Sequence, residues 1–379
     1  MKKLAIASAV SALFAAPTVV FAQAAAPTLD KVLDASGIAV SGYIDTAYSG
    51  ANRDIQGGFS DRVFDSQNDS INLHQFGITV AKQPKEGFGG LVNFTVGSDA
   101  RVIHSFPESA PTPPTQDQRS TFDVTQAFGQ YATGALTVMF GKFTTLHGTE
   151  VIASTGNTNF SRSILFGAVP FTHTGVRATY AFSDAFSLTA GVNNGWDQMQ
   201  DQNKGKTAEL GLTWAPIKPL SIVLSAYSGS EVNPSGVTAN STRTSYDAVV
   251  TYSFTDSLSL GLEYLDVSQE KASATGSTAK YNGYAGYLTW MITPKWRVVL
   301  RGEQFDDKDN VHFAVALPPG TTGVKYNEGT LTVSYLPSTS FELRAEVRQD
   351  NADTAVFTDK ATADSKSLQT MALQGIYKF

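Results

Sequence analysis

The sequence predicts an all-β chain that closes into a transmembrane antiparallel β-barrel of about 16 strands. Three observations carry that expectation. The chain opens with a secretory leader. No apolar run reaches the ~20 residues that a membrane-spanning helix needs. Apolar and polar residues alternate along most of the remainder. Only helices and closed barrels satisfy every backbone polar group in a bilayer, so a chain without such a helix crosses as a barrel.

The leader comes first. Lys2 and Lys3 make a basic start, Leu4 to Phe14 is apolar, and small-residue cleavage sites follow at Val20-Phe21-Ala22 and Ala22-Gln23-Ala24. This layout assigns 1–24 as a signal peptide cleaved after Ala22 or Ala24. Its apolar stretch is short and is interrupted by Pro17, which argues against a membrane anchor. Residues 25–36 read as a short periplasmic segment, with a helical turn over 28–35, and 37–379 as the barrel. Loss of the two leader lysines leaves 26 basic against 34 acidic residues, a balance of −8. That balance argues against a nucleic-acid partner, which demands a basic face. The absence of cysteine excludes disulfides, thiol nucleophiles and thiolate metal sites.

Period two places alternate residues on opposite faces of a strand. Leu258, Leu260, Leu262 and Tyr264 alternate with Ser259, Gly261 and Glu263, and Phe341, Leu343, Ala345 and Val347 with Glu342, Arg344, Glu346 and Arg348. Trp296, Val298 and Leu300 alternate with Arg297, Val299 and Arg301. The pattern yields strands near 37–49, 71–82, 87–98, 121–133, 135–145, 170–182, 185–195, 206–216, 219–230, 243–254, 257–269, 279–292, 294–306, 323–336, 339–350 and 367–379. These reach or exceed the ~9–11 residues of a tilted membrane strand. Two of them, 121–133 and 279–292, do not choose a face cleanly.

Short connections (83–86, 134, 183–184, 217–218, 255–256, 293 and 337–338) alternate with long ones (50–70, 99–120, 146–169, 196–205, 231–242, 270–278, 307–322 and 351–366). Short periplasmic turns and long external loops are the pattern of an outer-membrane barrel, and an even strand count removes the sheet edges. Aromatic residues gather beside the short turns: Phe182 and Phe186, Trp290 and Trp296, Tyr335 and Phe341, Phe254, and Trp214. Rings with one apolar and one wet end suit a membrane interface. The last strand carries Met371, Leu373, Gly375, Tyr377 and Phe379 on one parity. Its ending resembles the C-terminal signal read by the outer-membrane barrel assembly machinery, with Tyr377 and Phe379 as the signal residues and Gly375 a departure from the pattern.

A denser signature lies between about 121 and 215. Gly141-Lys142-Phe143 is followed by Gly148 and Glu150, by Asn159 with Ser161-Arg162-Ser163, by Pro170-Phe171-Thr172-His173-Thr174-Gly175-Val176 and by Asn194-Gly195-Trp196-Asp197. These residues resemble the β-barrel porin-2 family of OmpL-like outer-membrane porins. The resemblance implies a barrel in the outer membrane of a Gram-negative bacterium that passes small hydrophilic solutes and ions by passive diffusion. It names no solute and implies no cofactor. A homotrimer in outer-membrane lipid is expected by analogy with general porins.

A wet lumen requires the polar parity to face inward. The candidate pore-lining residues are Arg177, Arg297, Arg301, Glu303, Glu342, Arg344, Glu346 and Arg348, and Asp45, Glu209, Asp247, Glu263 and Lys378 share that parity. Charge rings tune ion selectivity. Buried charges usually pair, and the cluster Arg297, Arg301, Arg344 and Arg348 is the expected exception, an unpaired basic group. The third long loop, 146–169, is expected to narrow the pore with Glu150, Asn159, Arg162 and Ser163, although it lacks the acidic tripeptide of general porins. The acidic runs at 306–310 and 197–201 sit in external loops and offer oxygen ligands of the kind Ca²⁺ takes, but they lack EF-hand spacing and read first as solvated charged loops.

Two other classes compete. An enzyme needs its residues in order, and the five histidines (His74, His104, His147, His173 and His312) accompany neither G-x-S-x-G nor H-E-x-x-H. The chain is therefore read as no enzyme and as holding no metal. A plugged barrel acting as an adhesin or binding scaffold through its external loops fits the same pattern, and conductance separates it from a porin.

Overall fold

In the computed structural model, residues 33, 35–53, 59, 61–107, 120–232, 240–359 and 362–379 are described. The chain divides into two compact units, Met1–Ile38 and Ala39–Phe379. The leader and most of segment 25–36 lie outside the described residues. In the first unit the Ser36 hydroxyl donates to the Leu33 carbonyl at 2.8 Å.

The second unit is a closed barrel of sixteen antiparallel strands. In chain order these are β1 (Ala39–Ala51), β2 (Ser70–Lys82), β3 (Gly87–Val96), β4 (Phe122–Thr133), β5 (Leu136–Thr144), β6 (Thr172–Ser183), β7 (Phe186–Asn193) and β8 (Thr207–Ile217). There follow β9 (Leu220–Val232), β10 (Asn240–Ser253), β11 (Leu258–Gln269), β12 (Ala279–Thr293), β13 (Trp296–Asp307), β14 (Val324–Ser338) and β15 (Phe341–Ala352). The hairpin β16 (Phe357–Asp359) and β17 (Thr362–Ser365) stands apart in the last long loop, and β18 (Ser367–Lys378) pairs with β1 to close the barrel. All sixteen expected strands are present within a few residues, whereas the hairpin was not foreseen.

The two parities separate as the alternation requires. Leu288, Leu300, Leu331, Val347 and Met371 lie in one register across five neighbouring strands and face outward. The next row along, Arg301, Thr330, Arg348 and Thr370, is buried inside. At the short-turn end, rings pair on the outer surface, exposed Phe182 with half-buried Phe186 at 5.4 Å, exposed Trp296 with half-buried Tyr335 at 4.8 Å, and the exposed Tyr377 and Phe379 at 6.1 Å. Gly134 takes φ 54° in the turn between β4 and β5, a left-handed conformation that glycine adopts without steric cost.

Both ambiguous strands have physical explanations. In β4 the register slips by one residue, Asn93 pairing with Gln126 and Phe94 with Val124, so Thr125 is a bulge residue and the parity changes along the strand. In β12 the inner face is itself apolar. Ala285, Tyr281 and Tyr287 belong to a cluster with Ile164, Leu165, Ala168 and Val169 of the loop after β5. Leu265, Val267, Phe305, Tyr326 and Leu368 extend that cluster inside the barrel. Part of the interior is therefore a dry core rather than a wet wall.

Candidate functional site

After β5 the chain enters the barrel and crosses it, held along its length by side chains of the wall. His147 is fixed first, Nδ1 2.6 Å from Ser225 Oγ and Nε2 2.8 Å from Ser245 Oγ. The Ser225 hydroxyl also donates to the Leu146 carbonyl, so Nδ1 carries the proton and Nε2 accepts from Ser245. Burial pushes this imidazole from its ordinary 6.5 down to about 3, with His173 adding in the same sense. The next two amides follow: Gly148 N–H donates to Asp247 at 3.0 Å and Thr149 N–H to Glu263 at 2.9 Å.

Further along, carboxylates hold amides and guanidinium groups hold carbonyls. Phe160 and Ser161 N–H donate to Glu346 at 2.7 and 2.9 Å, and Ile164 and Leu165 N–H to Glu303 at 2.7 and 3.2 Å. Glu303 thereby sits at the start of the short helix Ile164–Gly167, whose first turn Ser163 caps. Arg344 donates to the carbonyls of Ser154, Asn157 and Asn159, Arg301 to that of Ser161, and Arg348 to that of Arg162. Charge-assisted hydrogen bonds of this kind are about twice as strong as neutral ones. The loop is gripped through its backbone by β10, β11, β13 and β15.

The expected site residues fall as follows. Glu150, Asn159, Arg162 and Ser163 are all buried in this one loop. Glu150 accepts from Arg301 at 3.0 Å and from Ser163 N–H at 2.7 Å, and Asn159 donates to Thr332 at 2.7 Å. Arg162 is folded back on the carbonyls of Val151, Phe160 and Ile152. The wall residues Arg301, Glu303, Arg344, Glu346 and Arg348 meet at the loop, whereas Arg177 stands apart, bonded to Glu209 at 2.6 Å and stacked on Phe143. The expectation of an unpaired basic cluster is corrected. Arg297 pairs with Glu342, Arg301 with Glu150 and Glu328, Arg344 with Glu342, and Arg348 with Asp350. An isolated buried guanidinium is too costly, and the carboxylates come from the same strand (Glu342 for Arg344, Asp350 for Arg348), from neighbouring β14 (Glu328) and from the loop (Glu150).

Other loops reach inside as well. Arg62 bonds to Asp65 of its own loop and to Asp350 and Thr370 of the wall. Ile103, in the short helix Ala100–Ile103, packs with Phe64, Ile152, Phe166 and Phe171. The acidic loop runs fasten backbone: Asp307 accepts from Val311, His312 and Phe313 N–H, and Asp197 from Phe171 and Thr172 N–H. Burial raises Asp197 to about 6. Among the described residues no group of three His, Asp or Glu side chains is placed to hold a metal.

The space left beside the loop has a different character. A cavity of about 260 Å³ lies between the loop and strands β3–β5, with Asn93, Thr95, Thr125, Gln126 and Thr144 on the strand side. The loop meets it with Val151, Ile152 and Ala153, and Val151 is 45% exposed. Nothing in composition singled out these neutral residues. Their inward parity was their one sequence signal, and the β4 bulge obscured it.

No curated protein matches the chain. Among solved structures it is similar to the in-vitro folded trimer form of OmpT from Vibrio cholerae, with 13% identity, a TM-score of 0.60, and coverage of 90% of this chain and 99% of that one. It is similar to an anion-selective porin from Comamonas acidovorans, with 12% identity, a TM-score of 0.62 and coverage of 90% and 99%. The outer-membrane channel DcaP of Acinetobacter baumannii gives 14% identity, a TM-score of 0.59 and coverage of 90% and 97%. These likenesses are of fold. The family model described as "Putative beta-barrel porin-2, OmpL-like" matches residues 37–379, the whole barrel. The chain therefore belongs to the OmpL-like β-barrel porin-2 family and is a bacterial outer-membrane channel for small solutes.

Proposed function

We propose that the protein is a loop-constricted porin through which small hydrophilic solutes and ions diffuse passively down their gradients. The observation that carries this reading is the loop over 146–166, drawn across the lumen and held by charged side chains of the wall. Glu150, Asn159, Arg162 and Ser163 build the constriction. Arg301, Glu303, Arg344, Glu346 and Arg348 hold it in place, Arg297 and Glu342 line the wall nearby, and Arg177 lines it apart from them. Transport of this kind makes and breaks no bonds, so a channel role calls for no catalytic group. Residues 1–24 act as the leader, Tyr377 and Phe379 as the assembly signal, and the barrel associates as a homotrimer, the form named for the OmpT relative.

Planar-bilayer recording of the purified, refolded protein under a salt gradient tests this. Stable conductance steps are expected. A folded barrel that gives none overturns the open-porin reading in favour of a plugged, loop-mediated binding protein. The entry of Arg62 and Ile103 into the barrel is the observation that favours that second reading.

A further inference from the structure

We propose that the cavity between the loop and strands β3–β5 is a filter for uncharged, polyhydroxylated solutes of monosaccharide type, a selectivity that rests on the porin reading above. The barrel interior is divided by chemistry. Strands β10–β15 carry most of the charges, which are spent on one another and on the loop backbone, while Asp123 of β4 pairs with Lys142 of β5 and Arg177 of β6 with Glu209 of β8. The cavity faces the other side, where the strand residues are hydroxyls and amides.

Three ionisable residues border it, and each is committed elsewhere. The Tyr43 hydroxyl donates to Gln75, both nitrogens of His147 are bonded to serines, and Glu150 is held by Arg301 and Ser163. The remaining capacity is neutral and of both signs. Asn93 spends its amide hydrogens on the Ile78 carbonyl and the Thr79 hydroxyl, which leaves its carbonyl oxygen as an acceptor. Gln126 uses its carbonyl oxygen to accept from Thr144 N–H at 3.4 Å, which leaves its amide hydrogens as donors. Across from them, Val151, Ile152 and Ala153 present an apolar surface.

A pyranose has the matching form, with a rim of hydroxyls that donate and accept and a ring face of C–H groups. A charged solute of the same size must shed water without finding an opposite free charge, which penalises either sign. A neutral hydroxylated solute exchanges its water for amides and hydroxyls at little cost. The filter thus works by withholding charge rather than by displaying it.

The test compares a hexose, the corresponding hexuronate and the corresponding hexosamine in swelling of liposomes that contain the refolded protein, with bilayer recordings on the same preparation. Swelling severalfold faster with the hexose than with either charged sugar, and a zero-current potential near zero in a KCl gradient, are expected. Conductance steps with a charged sugar equal to or faster than the hexose overturn the filter and leave the porin intact. A folded barrel without conductance overturns the porin and the filter with it. Gln126→Glu is expected to move the zero-current potential toward cation preference and to shrink the hexose advantage. An unchanged potential in that variant overturns the placement of the filter. Should Gln126→Glu fail to fold, Asn93→Asp makes the same comparison on the opposite strand, with the same two outcomes.

Discussion

Glu346 illustrates how much rests on single side chains of the wall. Its carboxylate accepts from Phe160 and Ser161 N–H and from the Thr332 hydroxyl. Hydrogen bonds to a charged group contribute about 1.5–3 kcal/mol each. Glu346→Gln, which keeps the shape and removes the charge, is expected to weaken loop docking by about 2–3 kcal/mol. Single-channel records should then show larger, noisier openings, and steps identical to the parent would count against the grip described. His147 gives the pH dependence. Its docked form is neutral with a pKa near 3, while a released imidazole titrates at its ordinary 6.5. Docking is therefore at full strength above 6.5 and is lost progressively as pH falls from 6.5 toward 3. The groups facing it are the Ser225 and Ser245 hydroxyls, the Tyr227 ring, His173, and Asp247 and Glu263 on the adjacent amides. Protonation of those two carboxylates would loosen the same stretch. Conductance should rise on acidification across that window, and His147→Gln should flatten the part of the response centred nearest 6.5. At this scale the sequence reveals which residues face inward, since parity is local. It does not reveal partners, because Arg301 and Glu150, or Arg344 and Asn157, meet from more than a hundred residues apart.

The loop after β5 behaves as a structural element even though its regular structure is limited to the turn Ser154–Gly156 and the helix Ile164–Gly167. Its length and its position as the third long connection suggest a constriction from sequence. Its path is specified only by the charges that the barrel presents to it. Shortening the loop by removing residues 151–158 should enlarge the conductance step while the barrel still folds, because the strand ladders do not pass through it. Retention of the parent step size would show that the limiting section lies elsewhere. Strand β12 carries the matching lesson. Tyr281, Ala285 and Tyr287 look out of place on an inner face until the apolar run from Ile164 to Val169 is laid against them. The strand and its unusual partner become intelligible together. The hairpin β16–β17 gave no such signal, being short and set inside a long loop.

The molecule as a whole depends on closure and on the bilayer. Closure joins β1 to β18 with Gly42 and Phe379 exchanging backbone hydrogen bonds at 2.8 and 2.9 Å. The Phe379 ring lies over Gly42, where an added Cβ would come within 2.6 Å of it. Gly42→Val is expected to displace that ring, to cost about 1–3 kcal/mol and to lower the temperature at which the folded band collapses on gel electrophoresis. A variant as heat-resistant as the parent would show that the seam tolerates the crowding. The outer row is tested by Leu300→Arg, which should destabilise the barrel in lipid by about 2–4 kcal/mol, whereas Leu300→Ile should be nearly silent. Equal stability of the two would deny that this row faces lipid. The barrel was legible in sequence because alternation, turn spacing and girdle are each repeated many times over, so that no single ambiguous strand decides the count.

Because the wall holds the loop chiefly by peptide groups, the identity of many loop side chains is left unconstrained by the hold itself. Val151, Ala153, Thr155 and Thr158 turn away from the grip and are at least partly exposed. Such positions can change in descent or by design without loosening the scaffold that presents them. Permeability and foldability are then separate traits of one chain, and a lineage of such channels has the means to diversify its diet while inheriting its architecture unchanged.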